Sequence, residues 1–336
     1  MAADKQLTPA KFFIVAGLLT ILLFFSIAAG LLIGSVDISF TDLAALLTGA
    51  NIDSSISRII IDIRLPRVLL AIAVGGGLSI SGAVFQALLM NPLAEPYILG
   101  ISSGGTFGAI LSFVIGLSFF YTQLFAFIGA IVVVFLVFYL GQRFGELEPN
   151  VLLLTGVMIG AFFSALILLM LTIMEDSVRT AVFWLIGNLS FASLENVLII
   201  LPIVILGSLI LYFFSQKFNV LTLGSSTANQ LGVNAGFVKN VTYVVASLIV
   251  GAVVSVSGII GFVGLLIPHV ARMLFGVDNR LVIPSSFLLG AIYLIAADTI
   301  ARSVISPAEI PVGAITAILG APVFIYLLRK RFKLFR

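Results

Sequence analysis

The sequence predicts an all-α, polytopic membrane protein with about ten transmembrane helices in a single domain, residues 1–336. Two observations carry this prediction. First, 61% of the 336 residues are hydrophobic, only 9% are charged, and the mean hydropathy is +1.28, values that are atypical of water-soluble domains. Second, the apolar residues fall into long runs, and about 20 predominantly apolar residues suffice to cross a bilayer as a helix.

The apolar runs place the predicted spans in order along the chain. They are 12–34, 65–89, 98–117, 120–141, 151–173, 196–214, 238–257, 259–267, 284–303 and 311–328. The eighth is short, and glycines blur its ends. An even number of spans puts both termini on one side of the membrane. Most of the 17 lysines and arginines then share that side, including the tail Arg329, Lys330, Arg331, Lys333 and Arg336. The positive-inside rule makes that side cytoplasmic.

The connections between spans differ in character. Residues 36–63 form an external amphipathic stretch, with Thr41 as a candidate N-cap. Residues 174–195 form the longest external connection and contain the only tryptophan, Trp184, interpreted as an interfacial anchor. The cytoplasmic connections include 215–237, the longest polar break, and 268–280. Gly100, Gly104 and Gly108 are spaced for one helix face and close packing against a neighbour.

Residue types exclude several classes of site. The chain has no cysteine and one histidine, His269. Disulfides, iron–sulfur clusters, thiolate metal sites and a multi-histidine site within one chain are thereby excluded. We expect no catalytic residues, no metal site and no cofactor. The basic tail is interpreted as an anchor beside the lipid bilayer, and no nucleic-acid partner is expected.

Several long motifs resemble one family in their order along the chain. They are RLPR (64–67), a Gly-rich helix ending at Gln86, NPLAEP (91–96), LGISSGG (99–105), the string 261–291, AADTIAR (296–302) and the string 308–324. Together they resemble the permease subunits of FecCD-type ABC importers. The resemblance implies the type II importer fold and a bacterial inner (cytoplasmic) membrane location. It also implies uptake of iron–siderophores, haem or cobalamin.

Three arginines, Arg64, Arg67 and Arg302, break the positive-inside pattern because each lies at the outer end of a span. Together they indicate a surface that meets acidic groups, since arginine forms bidentate pairs with carboxylates. The resemblance implies that these arginines receive glutamates of an extracytoplasmic substrate-binding protein. Asp298 lies four residues before Arg302, on the same helix face, and predicts a structural ion pair.

The resemblance also implies cytoplasmic sites. Asn91, Leu93 and Pro96, in a proline-containing break, are expected to form the inner gate. The loop 215–237 is expected to fold into two short helices on the ATPase subunit, although Ser225 stands where relatives commonly carry an acidic residue. The coupling residues expected are Gly224, Ala228, Leu231, Gly232, Arg272 and Gly276.

These patterns favour a permease subunit of an ATP-driven importer of iron(III)–siderophore. The chain lacks the G-x-x-x-x-G-K-[ST] phosphate loop, so we expect no enzyme activity and ATP hydrolysis on separate ABC ATPase subunits. A second permease subunit, identical or related, is also expected. The alternatives are a haem or cobalamin permease of the same family, or a secondary transporter driven by an ion gradient. Secondary transporters usually carry several intramembrane carboxylates, and here only Asp298 fits.

Overall fold

The structure is a computed structural model that describes residues 7–50, 52–143, 146–174, 178–305 and 308–333. Lys5 and Arg336, which belong to the predicted cytoplasmic termini, lie outside these ranges. Within them the chain is helical nearly throughout, as the sequence predicts. The exception is a short pair of antiparallel strands, β1 (Gln142–Arg143) and β2 (Glu146–Leu147).

The helices follow one another with short connections. They are α1 (Pro9–Leu32), α2 (Phe40–Thr48), α3 (Ser54–Arg58), α4 (Leu65–Leu88), α5 (Ile101–Val114), α6 (Phe119–Leu140), α7 (Pro149–Ile173), α8 (Val178–Leu185), α9 (Leu194–Phe213), α10 (Ser215–Leu221), α11 (Ser225–Gln230), α12 (Ala235–Ser257), α13 (Val263–Phe275), α14 (Asn279–Ser303) and α15 (Val312–Lys333). A π-helical stretch, Ile59–Arg64, joins α3 to α4, and a 3₁₀ turn, Pro96–Leu99, precedes α5.

Seven of the described helices are long and apolar enough to cross a membrane, namely α1, α4, α6, α7, α9, α12 and α14. Three shorter apolar helices, α5, α13 and α15, fall at the other predicted spans. Seven full spans and three shorter apolar helices therefore account for the ten segments that the hydropathy pattern predicts.

Helix α4 forms the centre of the bundle and is buried along almost its whole length. It packs against α14, α12, α13 and α9. Backbones meet closely there: a Cβ on Gly75 would lie 2.2 Å from the carbonyl oxygen of Gly290, and one on Gly82 would lie 1.9 Å from that of Gly264. Small residues allow this approach, which is the usual basis of helix packing in lipid.

The predicted glycine face is right for two of its three members. A Cβ on Gly104 would lie 2.5 Å from the carbonyl oxygen of Gly129, and Gly108 is similarly tight against α6. Gly100 instead caps α5 with a φ of +76° and faces α7. The four-residue spacing of the glycines could not reveal this, because α5 starts one residue after Gly100.

Three element boundaries differ from the sequence prediction. The N-cap of α2 is Ser39, which forms a capping box with Asp42, and not Thr41. The second long helix begins before Arg64, through α3 and the π-helical stretch. The eighth span runs from Val263 to Phe275 instead of 259–267, because Phe262 has a φ of +68° and cannot continue a helix.

The chain ends that were predicted to be cytoplasmic do share one end of the bundle. Lys11 Nζ, near the start of α1, donates to the carbonyl oxygen of Phe275 at the end of α13, at 2.6 Å. A cavity of about 590 Å³ at the same end is lined by Met90, Thr222 and Leu327, among others. We name this the inner end, and we name the opposite end, where Arg64 and Arg302 lie, the outer end.

Candidate functional site: an outer ionic cluster, an inner break and a coupling loop

The outer end holds an ionic cluster of Arg67, Asp298, Arg302 and Glu309. Arg67 Nε donates to both carboxylate oxygens of Asp298, at 2.9 and 3.0 Å, and its Nη1 donates to Glu309 Oε2 at 2.8 Å. Arg302 Nε lies 3.2 Å from Asp298 Oδ2 in the predicted i, i+4 ion pair. One carboxylate thus compensates two guanidinium groups, and Glu309 supplies the second negative charge.

The cluster is buried, which the sequence did not indicate. Arg67 is 3% exposed, Arg302 is 4% exposed and Asp298 is 1% exposed. Charges are seldom buried unless paired and hydrogen-bonded, and each of these has its partner within the chain. Only Glu309, with a side chain 36% exposed, reaches the surface.

Arg64 has a different role from its two predicted companions. It is 3% exposed, and its guanidinium donates to the carbonyl oxygens of Leu31, Leu32 and Val36. Since the last carbonyls of a helix lack partners within it, Arg64 caps the end of α1. None of the three arginines presents a bare guanidinium to solvent, so docking through them stays a prediction that requires an exchange of partners.

Glu309 is held in its ionised form. It accepts a hydrogen bond from Ser190 Oγ at 2.6 Å as well as that from Arg67. Burial raises the pKa of Glu309, but the hydrogen bonds from Ser190 and Arg67 and the charge of Arg67 outweigh it and hold that pKa below its ordinary value. Glu309 therefore links the ionic cluster to the loop that follows α8.

The inner break separates the three predicted gate residues. Leu93 is 45% exposed. The backbone N–H of Leu93 donates to Asn91 Oδ1 at 2.9 Å, and this hydrogen bond fixes a tight turn. Pro96 is buried, against Gly264 at the start of α13. Pro96 thus packs within the chain, and Asn91 and Leu93 alone of the three are accessible to another subunit.

A carboxylate that sequence reasoning missed lies in the same break. Glu95 Oε1 accepts from the backbone N–H of Phe262 at 3.0 Å, and the neighbouring Tyr97 hydroxyl lies 3.2 Å from the backbone oxygen and nitrogen of Ile260. These bonds hold the non-helical residues that precede α13. Glu95 belongs to the motif NPLAEP, but nothing local in the sequence pairs it with a residue 167 positions away.

The coupling loop folds into two short helices, α10 and α11, as the resemblance implies. Gly224 and Gly232 have φ values of +99° and +82°, and a Cβ on either would meet open space. Leu231 is 61% exposed, whereas Ala228 is fully buried. Leu231 is thus accessible to an ATPase subunit, and Ala228 is a packing residue within the loop, which corrects its predicted contact role.

The remaining two predicted coupling residues lie at the end of α13. Arg272 donates to Gln86 Oε1 and, through Nη2, to the carbonyl oxygen of Ala83 at 3.2 Å, so it ties α13 to α4. Gly276 ends α13 with a φ of +104°. Arg272 is therefore placed to hold the bundle together beside the loop.

A polar cluster that the sequence did not identify joins the loop to α14. Asn219 Nδ2 donates to Asp278 Oδ1 at 2.8 Å, and Asn219 Oδ1 accepts from the backbone and side chain of Asn279 at 2.9 and 2.8 Å. Asp278 also caps α14 and pairs with Arg280 at 2.6 Å. The hydrogen bond from Arg280 is the main cause that lowers the pKa of Asp278 to about 2.

Comparison with known proteins gives consistent matches over most of the chain. Residues 19–330 match the model of the FecCD transport family. A cobalamin import permease of Halobacterium salinarum is 40% identical over 80% of this chain and 73% of the relative. A Bacillus subtilis protein named as a siderophore transport permease is 39% identical over 82% and 84%, and a molybdate import permease of Haemophilus influenzae is 36% identical over 93% and 94%.

A solved structure agrees with the fold. It is an inward-facing conformation assigned to a metal-chelate type ABC transporter, and it is similar with a TM-score of 0.84 and 35% identity. The match covers 94% of this chain and 99% of that one.

Proposed function

From the premise that the chain belongs to the FecCD transport family and is a multi-pass membrane permease of an ABC importer, we propose that its cargo is an iron(III)–siderophore complex. The observation that carries this choice is the lack of residues for a bare metal ion. The sequence has no cysteine and one histidine, and no group of three metal-ligating side chains is found among the described residues. These residues do not suit a bare metal ion, and this favours a cargo whose metal is already enclosed by a chelator.

The names of the similar proteins include chelate cargoes but do not single out one cargo. A siderophore permease and a cobalamin permease are equally close in identity, and the molybdate permease shows that the family also handles an oxyanion. Haem and cobalamin remain the alternatives to iron–siderophore.

The proposed partners are two ABC ATPase subunits, a second permease and an extracytoplasmic substrate-binding protein. The exposed Leu231 and the two glycine turns of the coupling loop support an ATPase contact at the inner end. We place both termini in the cytoplasm of a bacterial cell, with that end facing inward. This placement rests on the charge pattern, since lysine and arginine favour the cytoplasmic side.

Docking at the outer end is proposed to occur by exchange of partners. Glu309 is the exposed carboxylate on Arg67, at 2.8 Å, so an acidic group of the binding protein would compete with Glu309 for that guanidinium. Replacing Glu309 with Gln removes the competing charge and leaves Asp298 in place. We expect Glu309→Gln to bind the substrate-binding protein more tightly, and the gain to shrink at high salt because exposed charges are screened.

Charge reversal at Arg67 or Arg302 is a poor test of docking, because both are buried and reversing either charge would strongly destabilise the fold as well. Docking is better tested by measuring the affinity of the purified binding protein for Glu309→Gln, with the exposed Asp62→Asn as the matched control. This measurement separates an effect on docking from an effect on folding. Equal or weaker affinity for Glu309→Gln would contradict the exchange.

The cargo is tested by transport. The full chain, its ATPase and its binding protein are reconstituted in liposomes, and uptake of radioactive iron(III)–siderophore, haem and cobalamin is compared with and without ATP. We expect ATP-dependent uptake of iron(III)–siderophore. Uptake of haem alone or of cobalamin alone would show that this compound, and not iron(III)–siderophore, is the cargo. Uptake driven by an ion gradient without ATP would favour the secondary transporter.

A further inference from the structure

A second cavity, of about 330 Å³, lies at the outer end beside the ionic cluster. It is bounded by the end of α5, the start of α6, α8 and the end of α12. Five of its eleven lining residues are aromatic, namely Phe113, Phe119, Phe183, Trp184 and Phe191. The ring centroids of Phe119 and Phe191 lie 4.8 Å apart.

Trp184 is one of the residues that line this cavity. It is 7% exposed, which corrects its interpretation as an interfacial anchor, and its indole Nε1 is buried with no acceptor among the described residues. Native proteins satisfy nearly all buried donors. Trp184 contributes a buried indole ring beside the cavity, and its N–H has no acceptor among the described residues.

Other polar groups give the cavity a preference for negative oxygen. Arg179 lines it, with its guanidinium carbon 5.8 Å from the centre of the Phe183 ring, and Asn188 adds a side-chain amide. Glu309 is the acidic lining residue, and its Oε2 already accepts from Arg67 and Ser190. Its negative charge is thus offset by Arg67, and the positive charge of Arg179 faces the cavity.

We propose that this cavity binds an aromatic oxyanion, the single-ring limb of a catecholate or hydroxybenzoate chelate, as the cargo enters from the outer end. The inference rests on the proposed function and narrows its substrate class. Aromatic walls stack on a planar ring, and the guanidinium of Arg179 pairs with its oxygens. A single ring limb suits this volume and these walls, whereas a hydroxamate has no ring to stack.

Trp184 is the only tryptophan in the sequence, so all tryptophan emission comes from a residue that lines this cavity. The full chain in lipid nanodiscs is titrated with 2,3-dihydroxybenzoate, benzoate and acetohydroxamate. We expect a saturable change in emission with 2,3-dihydroxybenzoate, weaker binding of benzoate and a linear, unsaturable response to acetohydroxamate.

Two variants remove one outer arginine each. Arg179→Gln removes the guanidinium that lines the cavity, and Arg58→Gln removes an exposed arginine outside it. We expect Arg179→Gln to raise the Kd about tenfold, about 1.4 kcal/mol, and Arg58→Gln to leave it unchanged. Arg179→Lys, which keeps the charge, should fall between them and guards against a misfolded glutamine variant.

The inference is overturned by the absence of saturable binding, by equal binding of acetohydroxamate, or by equal effects of the two glutamine variants. Its failure is distinguishable from failure of the proposed function. Uptake of iron(III)–siderophore without a Trp184 response would overturn the cavity and leave the transport function standing. A saturable Trp184 response without any uptake of iron(III)–siderophore would support the cavity and overturn the proposed transport function.

Discussion

Replacing Asp298 with Asn isolates the energetic centre of the outer cluster. Asp298 is 1% exposed and compensates Arg67 and Arg302, whose side chains are 4% and 5% exposed. The amide removes the charge at nearly constant volume, so two buried guanidinium groups lose their shared partner and Arg67 keeps only Glu309. Breaking a buried pair from one side costs about 3–5 kcal/mol, and we expect a loss in that range.

The assay is unfolding of the purified chain in mixed micelles with SDS, followed by Trp184 fluorescence. Asp62→Asn is the matched control, because Asp62 is an exposed carboxylate in the π-helical stretch of the same outer end. Glu309→Gln should cost about 1 kcal/mol or less, since its side chain is 36% exposed and screened by solvent.

A double-mutant cycle tests the cause. If the cost of Asp298→Asn arises from the unpaired arginines, then Asp298→Asn combined with Arg302→Met should cost less than the sum of the single variants. The reasoning is refuted if Asp298→Asn lies within about 0.5 kcal/mol of Asp62→Asn, or if the two substitutions add without coupling.

Three further predictions concern the inner end. Leu93→Cys, in a chain without cysteine, should crosslink to its counterpart in the partner permease and block uptake; robust uptake while crosslinked would reduce the break to a turn. Gly232→Val, at a φ of +82°, should uncouple ATP hydrolysis from transport at normal abundance, and full transport would contradict this. The Asp278 carboxylate, with a pKa of about 2 against an ordinary 3.8, stabilises the fold above pH about 4 and loses that effect as pH falls towards 2. The stability difference between the wild type and Asp278→Asn should therefore shrink over that interval.

The hydropathy pattern predicted the fold class and most spans, because long apolar runs are decided by local sequence. The prediction is wrong where tertiary contacts determine the end of a helix. The start of α13 depends on Phe262, whose positive φ is held by a hydrogen bond from its N–H to Glu95. Glycines and Pro268 in the same region weaken the periodicity that would have located this helix.

The candidate sites show the same limit. The sequence identified Arg67 as a charge at the outer end of a span, but its burial is set by Asp298 and Glu309, 231 and 242 positions away. The i, i+4 pair of Asp298 and Arg302 is local, and it was predicted correctly. Likewise, nothing near Asn219 in the sequence indicates its hydrogen bonds to Asp278 and Asn279, about 60 positions away.

Helix α14 physically connects the coupling loop to the outer cluster. Its 25 residues span about 37 Å at 1.5 Å per residue. Asp278 and Asn279 at one end are bonded to Asn219, and Asp298 and Arg302 near the other end belong to the cluster. Along its length α14 packs against α4 and α1. Because α14 is bonded at both ends, we expect it to move as a unit. Docking of the binding protein at the outer end would then be transmitted through α14 to the ATPase at the inner end.

Asn219→Ala tests this connection, because it removes the three hydrogen bonds to Asp278 and Asn279 at about 1–3 kcal/mol in total. We expect the binding protein to dock normally on this variant but to stimulate ATP hydrolysis less. Thr222→Ala is the matched control, because its hydroxyl donates only locally, to the carbonyl oxygen of Asn219. Undiminished stimulation in Asn219→Ala, or an equal loss in Thr222→Ala, would show that the outer end signals through other helices, since docking would then reach the ATPase without the α10–α14 bonds.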